Sequence, residues 1–398
     1  MRREKHRRLQ SEMERRGLAA LWLNAPGHVR YALGPAVLPC DAGRATYQRV
    51  SVLVVRGRPE PHLFTPYPEG APEDLPESSL HPPLYLESDA GVADAARRVS
   101  EVLGAAPREP LAVDEFSPAL HFGLERHLQA EIADAAPVVA GVKLLKTPDE
   151  IECIRRAQHI NEAAMLEVRE ALRPGVRQSE LSALFLRRIQ ELGAHANGID
   201  PIFQVMPPSR AEGPYTTHGD VAFPTCSSDR ILREGDVVWV DTGIDYAGYA
   251  SDYGRTWVVG RPPDARQRDQ FERWLGVIRA VLEVLRPGVS GRQLAQAAIA
   301  ANGGRRPWLE HFYLAHGVGT EPAEMPLIGT DLGESFDESL VMEPGTVLVL
   351  EPAIWDDGAA GYRSEEIVAV TPDGYAQLSD HTYAPYPPPD PSTGVGGE

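Results

Sequence analysis

The pattern of apolar and polar positions gives the beginning of the chain an alternating order of helices and strands. A helical pattern at 4–17 precedes an apolar run of strand length at 18–24, which Asn24, Pro26 and Gly27 close. A second apolar run follows at 50–55. Helical patterns return at 90–104 and 118–131. Strands that alternate with helices are typical of a small α/β domain.

A strong helix-start signal marks the end of this first part. Thr147 is followed by Pro148, Asp149 and Glu150, which places proline at the first helical position and acids in the first turn. A long helix is therefore predicted to begin here and to extend to about Leu172. Further helices are predicted at 178–192, 265–285 and 291–302. The rest of this part reads mainly as strand and turn.

These patterns predict an α+β protein of two domains with a short tail. We place an α/β domain at residues 1–140 and a second domain, rich in both helices and strands, at 141–385. Residues 386–398 are dominated by proline, glycine and polar residues, which is the composition of a disordered tail.

The second domain is organised around the stretch 237–257, VVWVDTGIDYAGYASDYGRTW. An apolar strand leads to Asp241, a Gly- and Tyr-rich turn follows, and Asp252 falls inside a second strand. The glycine-bearing turn predicts a hairpin, which would bring the two carboxylates to one buried spot. Carboxylates in such a position repel each other unless a proton or a cation lies between them. Taken alone this pair is a weak signal, because aspartates are common in turns.

A second pair of acids repeats the same layout further along the chain. Glu351 closes one apolar strand and Glu365 opens another, with a Gly-rich turn between them. Between the two pairs lies His316, in the sequence AHGVG, where small neighbours leave room for close approach. Four carboxylates and one imidazole suit two divalent cations, with an open position for a bridging water or hydroxide. Oxygen-rich ligation with one nitrogen favours manganese, cobalt, iron or zinc.

Composition and charge exclude several other classes of protein. The chain has 398 residues and a net charge of −18, which argues against nucleic acid as a partner. No apolar run is long enough to cross a membrane, and the N-terminal residues lack the apolar centre of a signal peptide. Three scattered cysteines favour a reducing cytoplasm over a disulfide framework.

The motifs around these acids resemble those of the pita-bread metallopeptidase superfamily, which includes aminopeptidase P, prolidase, methionine aminopeptidase and creatinase. The matching segments follow the family's order. They are VDTG at 240–243, SDYGRT at 251–256, HGVG at 316–319, LEP at 350–352 and YRSE at 362–365. The segments at 18–34 and 146–157 resemble the starts of a creatinase-type N-terminal domain and of the catalytic domain.

The resemblance implies a creatinase-like N-terminal α/β domain followed by a pita-bread catalytic domain. It also implies a dinuclear-metal hydrolase that cleaves the bond before proline by attack of a metal-bridging hydroxide, with manganese as the expected metal. The implied metal ligands are Asp241, Asp252, His316, Glu351 and Glu365. Glu351 would also handle the proton, and Arg363 would orient a ligating carboxylate. Relatives of this kind are usually dimers or tetramers, so a homodimer is expected.

Two positions depart from the peptidase pattern. Family peptidases carry a second histidine shortly after the metal-binding one, where this chain has Ala323, although the following Glu324 matches. The family has a further active-site histidine upstream of the first aspartate ligand. His218 is the candidate for this position, but it could equally be an ordinary loop histidine. The alanine favours an alternative substrate, as in relatives that resemble ectoine hydrolase or dimethylsulfoniopropionate lyase. A non-catalytic binding module is a third alternative, disfavoured because all five ligand positions are retained.

Overall fold

The computed structural model describes residues 1–34, 50–104, 108–207 and 229–385. It divides into two compact units, Met1–Leu144 and Leu145–Glu398. His218 and the predicted tail at 386–398 lie outside the described residues.

The first unit is a six-stranded mixed sheet with helices on both faces. The strand order is β4-β3-β2-β1-β5-β6, in which β1 pairs parallel with β5 and antiparallel with β2. The strands are β1 Ala20–Leu23, β2 Ser51–Val55, β3 His62–Phe64, β4 Leu80–His81, β5 Leu111–Val113 and β6 Ile132–Asp134. The helices are α1 Arg2–Arg16, α2 Pro26–Leu33, α3 Asp89–Leu103, α4 Pro118–Leu128 and α5 Ala136–Lys143.

The central strand β1 shows why this sheet is buried on both faces. Ala20 and Trp22 point towards α3 and α4, whereas Leu21 and Leu23 point towards α1, α2 and α5. All four side chains are completely buried. Successive side chains in a strand alternate between faces, so a strand covered on both sides is a continuous apolar run. This explains the unbroken apolar segment that predicts the strand.

Strand β1 ends at Leu23, just before the residues predicted to close it, and Pro26 begins helix α2, which the sequence pattern did not predict. Proline is well suited to the first helical position, since its missing N–H has no partner there and its fixed φ matches the helix. Gly27, Val29 and Leu33 are buried in that helix. The sequence Asn-Ala-Pro-Gly therefore marks a helix start rather than a simple chain reversal.

The second unit contains two pairs of helices, each of which packs on an antiparallel sheet. Its helices are α6 Pro148–Ala171, α7 Gln178–Glu191, α8 Ala265–Val284, α9 Gly291–Ala301 and the short α10 Glu334–Ser339. The first sheet has the order β10-β8-β7, with β9 paired to β8, and the second has the order β12-β11-β13-β16-β17. A separate hairpin is formed by β14 and β15. The strands are β7 Ala196–Val205, β8 Val237–Tyr246, β9 Tyr249–Ala250, β10 Tyr253–Val258, β11 Ala315–Gly317, β12 Glu324–Ile328, β13 Val347–Leu350, β14 Ala353–Trp355, β15 Gly361–Arg363, β16 Glu366–Thr371 and β17 Gly374–Gln377.

Helix α6 starts as the sequence predicts. The Thr147 side chain accepts a hydrogen bond from the backbone N–H of Glu150, whose carboxylate accepts one from the N–H of Thr147. This reciprocal arrangement is a capping box, and Pro148 occupies the first helical position. Helices α6 and α7 share a core with the sheet β10-β8-β7, and α8 and α9 share one with the sheet β12-β11-β13-β16-β17.

Within the described ranges, no helix combines the length and the apolar character that crossing a lipid bilayer requires.

Candidate metal centre

The predicted hairpin is confirmed and holds the first two acids. Strands β8 and β10 pair antiparallel, with Asp241 opposite Gly254. The chain reverses in a two-residue turn at Ala247 and Gly248, which both have positive φ. A turn of this length needs positive φ to match the twist of the strands. Asp252 lies in a break between β9 and β10 rather than inside a strand. This break interrupts the regular pairing just before β10 begins.

Alternation along β8 directs Asp241 away from the helices. Val238 and Val240 are buried in the core that the sheet shares with α6 and α7. Trp239 and Asp241, on the alternate positions, therefore point to the other face of the sheet. This face carries the carboxylate site and, two residues earlier in the strand, an apolar patch around Trp239.

The second sheet supplies the other three predicted ligands. His316 lies in β11, which is flanked by β12 and β13. Glu351 directly follows β13, and its N–H donates to the carbonyl of Leu314. Glu365 directly precedes β16, the next strand in the sheet. All three side chains lie at one end of the sheet because their strands are adjacent and antiparallel.

Backbone hydrogen bonds fasten the two sheets together at this point. The N–H of Glu365 donates to the carbonyl of Gly254 over 3.0 Å. Arg255 donates through Nη1 to the carbonyl of Glu365 over 2.7 Å. The hydroxyl of Thr256 accepts from the N–H of Arg363 over 2.9 Å and donates to its carbonyl over 2.6 Å. The two carboxylate pairs are therefore held at a fixed separation by main-chain contacts.

Glycine is required at Gly254 by the space that Glu365 occupies. A Cβ atom at Gly254 would lie 2.5 Å from Cδ of Glu365, which is far inside van der Waals contact. Two positions near His316 also require glycine because other atoms lie very close to them. A Cβ at Gly317 would lie 2.3 Å from the carbonyl oxygen of Met325, and one at Gly319 would lie 2.6 Å from Oε1 of Glu324. The expectation of close approach around the histidine is thus confirmed.

The structure brings all five predicted ligands together in two overlapping groups. Asp241, Asp252 and Glu365 each offer one oxygen, and these oxygens lie within 4.8 Å of one another. On the other side, Nε2 of His316 lies 3.2 Å from Oδ2 of Asp252 and 3.3 Å from Oε1 of Glu351. Asp252 belongs to both groups. This arrangement offers two adjacent cation positions that share a ligand.

The tautomer of His316 can be assigned from its surroundings. Its Nδ1 lies 2.9 Å from the carbonyl oxygen of Gly317, which can only accept a hydrogen bond, so Nδ1 carries the proton. In the neutral ring Nε2 then directs a lone pair at the oxygens of Asp252 and Glu351. A cation between these atoms converts a repulsive contact into coordination, and a histidine fixed through Nδ1 is a common form of metal ligand.

Burial makes the charged state of these acids costly. It raises the pKa of Asp252 well above its ordinary value, and the charges of Asp241 and Glu351 raise it further. Burial likewise raises the pKa values of Glu351 and Glu365. Oδ1 of Asp241, Oδ1 of Asp252 and Oε2 of Glu365 have no hydrogen-bond partner among the described residues. Buried oxygens without donors fit coordination by divalent metal ions, which replaces both the missing donors and the protons.

Arg363 supplies the one positive side chain in contact with these acids within the described residues. Its guanidinium donates to Oδ2 of Asp241 over 2.9 Å and also contacts Glu351 and Glu365. It is 4% exposed and lies 4.6 Å from the centre of the Trp239 ring. Arg363 is therefore in the place where it can orient several carboxylates, rather than on a strand surface. Its assignment to catalysis stays a prediction.

A buried polar network behind the hairpin is absent from the sequence-based prediction. Asn161 on α6 donates to the carbonyl of Thr242 over 2.8 Å and to the hydroxyl of Ser251 over 3.0 Å, and it accepts from the hydroxyl of Thr242 over 2.9 Å. Thr242 follows Asp241 and Ser251 precedes Asp252. One helix residue thus fixes the backbone beside both aspartates. A mid-helix asparagine carries no sequence signal for this role.

The positions that depart from the peptidase pattern have different surroundings. Glu324, which matches the pattern, is buried, and its Oε1 lies 2.8 Å from Nζ of Lys146. Ala323, directly before it, is exposed. His218 lies outside the described residues, so its proposed place in the site stays a prediction.

A separate group of titratable residues lies on α6. His159, Glu162 and Asp380 each offer an atom within 4.8 Å of the others, with only Glu162 buried. Oε1 of Glu162 accepts from Gln158 and from the N–H of Asp380. Burial, with a contribution from Asp380, raises the pKa of Glu162 to about 8.

Comparison with known proteins agrees with this geometry. The model of metallopeptidase family M24 matches residues 152–372, and that of the creatinase/prolidase N-terminal domain matches residues 5–144. The chain is 31% identical over 373 residues to the probable dipeptidase PepE of Mycobacterium tuberculosis, covering 92% of this chain and 90% of that protein. It is 31% identical over 244 residues to the Xaa-Pro dipeptidase of Pyrococcus furiosus, covering 61% and 65%.

Solved structures show the same fold. Dipeptidase PepE from Mycobacterium ulcerans aligns with a TM-score of 0.74 at 25% identity, covering 96% of both chains. The prolidase from Pyrococcus horikoshii aligns with a TM-score of 0.74 at 22% identity, covering 95% of this chain and 99% of that one.

The fold and the family model together define a metal-dependent hydrolase. The chain belongs to metallopeptidase family M24, with a creatinase/prolidase N-terminal domain. The predicted superfamily and the predicted α+β fold class are both confirmed. Membership of this family implies divalent metal ions, for which the five buried side chains are suitable ligands.

The close contact at Gly254 predicts a specific effect on metal binding. In Gly254→Ala, the added methyl group must displace the Glu365 carboxylate, so manganese affinity should fall by about 10–100-fold, as when a metal ligand loses its support. Calorimetric titration of the metal-free protein measures this. Gly276→Ala is the matched control, because nothing lies within 4 Å of a Cβ at that position in α8. Unchanged affinity in Gly254→Ala would contradict the proposed ligand geometry.

The raised pKa of Glu162 predicts a pH dependence of stability. The folded state keeps this proton up to about pH 8, whereas the unfolded chain releases it near pH 4.5. The unfolded state binds fewer protons between these values, so this group lowers stability as the pH rises. As the pH rises from about 4.5 to about 8, the free energy of unfolding of Glu162→Gln should therefore fall by about 2–4 kcal/mol less than that of the wild type. Urea denaturation at several pH values tests this, with Glu170→Gln, a change at an exposed position, as the control. If the free energy of unfolding of Glu162→Gln changes with pH in the same way as that of the wild type, the prediction is refuted.

Proposed function

We propose that this protein is a dinuclear metallopeptidase that cleaves the bond before proline in short peptides. The observation that carries the proposal is the pair of buried ligand groups that share Asp252. Relatives named Xaa-Pro dipeptidase and Xaa-Pro aminopeptidase support the choice of substrate. The relative matched over 92% of this chain is named a probable dipeptidase, which supports a small peptide substrate.

The proposed ligands are those in the two groups described above. Asp241, Asp252 and Glu365 would hold one ion, and Asp252, His316 and Glu351 the other. When bound, two divalent ions lower the pKa of water towards neutrality and stabilise negative charge on a carbonyl oxygen. Manganese is our first choice of metal, with cobalt, zinc and iron as alternatives that the same donor set accepts.

The surrounding residues have complementary roles in this proposal. Glu351 has one oxygen near His316 and the other in contact with Arg363, so it can take up a proton while its position is held. Arg363 contacts both Asp241 and Glu351 and would hold the two carboxylates in fixed positions. An apolar patch lies on the same face and offers a dry surface for a proline ring. The patch is formed by Met206, Trp239, Leu309, Phe312, Trp355 and Ala360.

A second candidate function keeps the metal centre and changes the substrate. Ala323 stands where family peptidases have a histidine, and its methyl side chain cannot donate a hydrogen bond. Loss of one such donor to the reacting oxygen costs about 10²–10³ in rate. This residue favours a small-molecule substrate of the kind hydrolysed or cleaved by enzymes that resemble ectoine hydrolase or dimethylsulfoniopropionate lyase.

We further propose a cytoplasmic homodimer with no nucleic-acid or membrane partner. The net charge of −18 disfavours nucleic acid, and three scattered cysteines suit a reducing compartment. Light scattering at micromolar concentration should give about twice the chain mass of 43.5 kDa. A monomer at that concentration would rule the dimer out.

The proposed activity is tested with a panel of Xaa-Pro dipeptides and tripeptides. Manganese-loaded protein should release the residue before proline, and Asp252→Ala should abolish turnover because Asp252 belongs to both ligand groups. Glu170→Gln, an exposed acid-to-amide change, should keep full activity. If the wild type binds two metal ions but cleaves none of these peptides, the peptidase proposal fails. Turnover of cyclic amidines, small amides or sulfonium acids would then support the second candidate.

A further inference from the structure

Tyr313 is an aromatic residue at the metal centre that neither the sequence motifs nor the proposed ligand set includes. It lies just before β11, close in the chain to His316. The two rings meet edge to face, with centroids 5.2 Å apart and planes inclined at 69°. On its other side, Tyr313 stacks on Phe312 with centroids 3.9 Å apart. These contacts fix the ring beside the histidine and next to the apolar patch.

The hydroxyl of Tyr313 is available to a ligand. The side chain is half-buried, and its hydroxyl makes no hydrogen bond to any of the described residues. A phenol is protonated at neutral pH. The edge-to-face contact with His316 places this ring beside a proposed metal ligand. The side chain therefore presents a protonated, unpaired donor at the edge of the centre.

We propose that the hydroxyl of Tyr313 donates a hydrogen bond to the substrate's carbonyl oxygen as negative charge develops on it. This would make Tyr313 a catalytic residue that supplies the donor missing at Ala323. The inference rests on the proposed hydrolytic function, although the donor would serve a peptide and a small amide equally well.

Three features of the site favour this role over a purely structural one. The hydroxyl of Tyr313 has no hydrogen-bond partner among the described residues, so it can donate to a bound ligand. His316, its ring neighbour, is a proposed metal ligand, so a substrate carbonyl held at the centre would lie close to both rings. Phe312 belongs to the apolar patch and stacks on the Tyr313 ring, so an apolar group bound at the patch would lie beside that ring. A donor fixed by packing needs no reorganisation during the reaction.

The test compares Tyr313→Phe with Tyr375→Phe. The first removes only the hydroxyl at the centre, and the second removes one from the partly exposed strand β17. With a cleaved Xaa-Pro peptide, Tyr313→Phe should lower kcat by about 10²–10³ and leave KM nearly unchanged. Its manganese content and melting temperature should equal those of the wild type. Tyr375→Phe should leave all of these quantities unchanged.

A second readout uses inorganic phosphate as a tetrahedral oxyanion and does not depend on turnover. Calorimetry on the manganese-loaded protein should show about 10–100-fold weaker phosphate binding in Tyr313→Phe, the loss expected for one hydrogen bond to a charged group. Tyr375→Phe should bind phosphate like the wild type.

The outcomes separate this inference from the proposed function. A kcat within threefold of the wild type, in a folded variant with full metal content, overturns the role of Tyr313. So does a loss of activity that merely follows a loss of bound metal. If the wild type cleaves no Xaa-Pro peptide, the proposed function fails and the phosphate titration decides about Tyr313. Weakened phosphate binding then still supports the donor role, and unchanged binding overturns it.

Discussion

Mutual repulsion among four buried carboxylates is the constraint on which the catalytic unit depends. Asp241, Asp252, Glu351 and Glu365 lie together where solvent cannot screen their charges, and one guanidinium, that of Arg363, compensates only part of them. Such a cluster is stable only if protons or cations supply the remaining positive charge. The same repulsion that destabilises the folded state thus favours the binding of divalent ions.

Holding these acids together requires rigid support from all sides. Asn161 fixes the backbone beside the two aspartates from the helix side. The carbonyl of Gly254, which accepts from the N–H of Glu365, and the hydroxyl of Thr256, which accepts from the N–H of Arg363, connect the hairpin to the segment that carries Glu365. The missing side chain at Gly254 leaves the space that this carboxylate fills. Most of the support is main chain or small residues, which leaves room for four acid side chains in one place.

The surroundings of the centre are asymmetric, and this bears on substrate choice. On one side, ligands and Arg363 provide charge; on the other, Trp239, Phe312 and their neighbours provide an apolar surface. Tyr313 lies between the two, with its hydroxyl unpaired. Ala323 stands where the family resemblance leads us to expect a histidine, whereas all five proposed ligand positions are kept.

The sequence by itself determined the class of fold and the identity of the clustered acids, because each depends on local patterns. Apolar runs such as the one around Trp22 identify buried strands, the capping residues at Thr147 and Glu150 identify a helix start, and an acid at each side of a glycine-rich turn identifies a hairpin site. Only the tertiary structure decided which distant residues serve that site. Asn161 has no distinctive local pattern, since its role comes from hydrogen bonds to residues more than 80 positions away in the chain. Likewise, Pro26 can close a strand or open a helix, and packing against the sheet selected the helix.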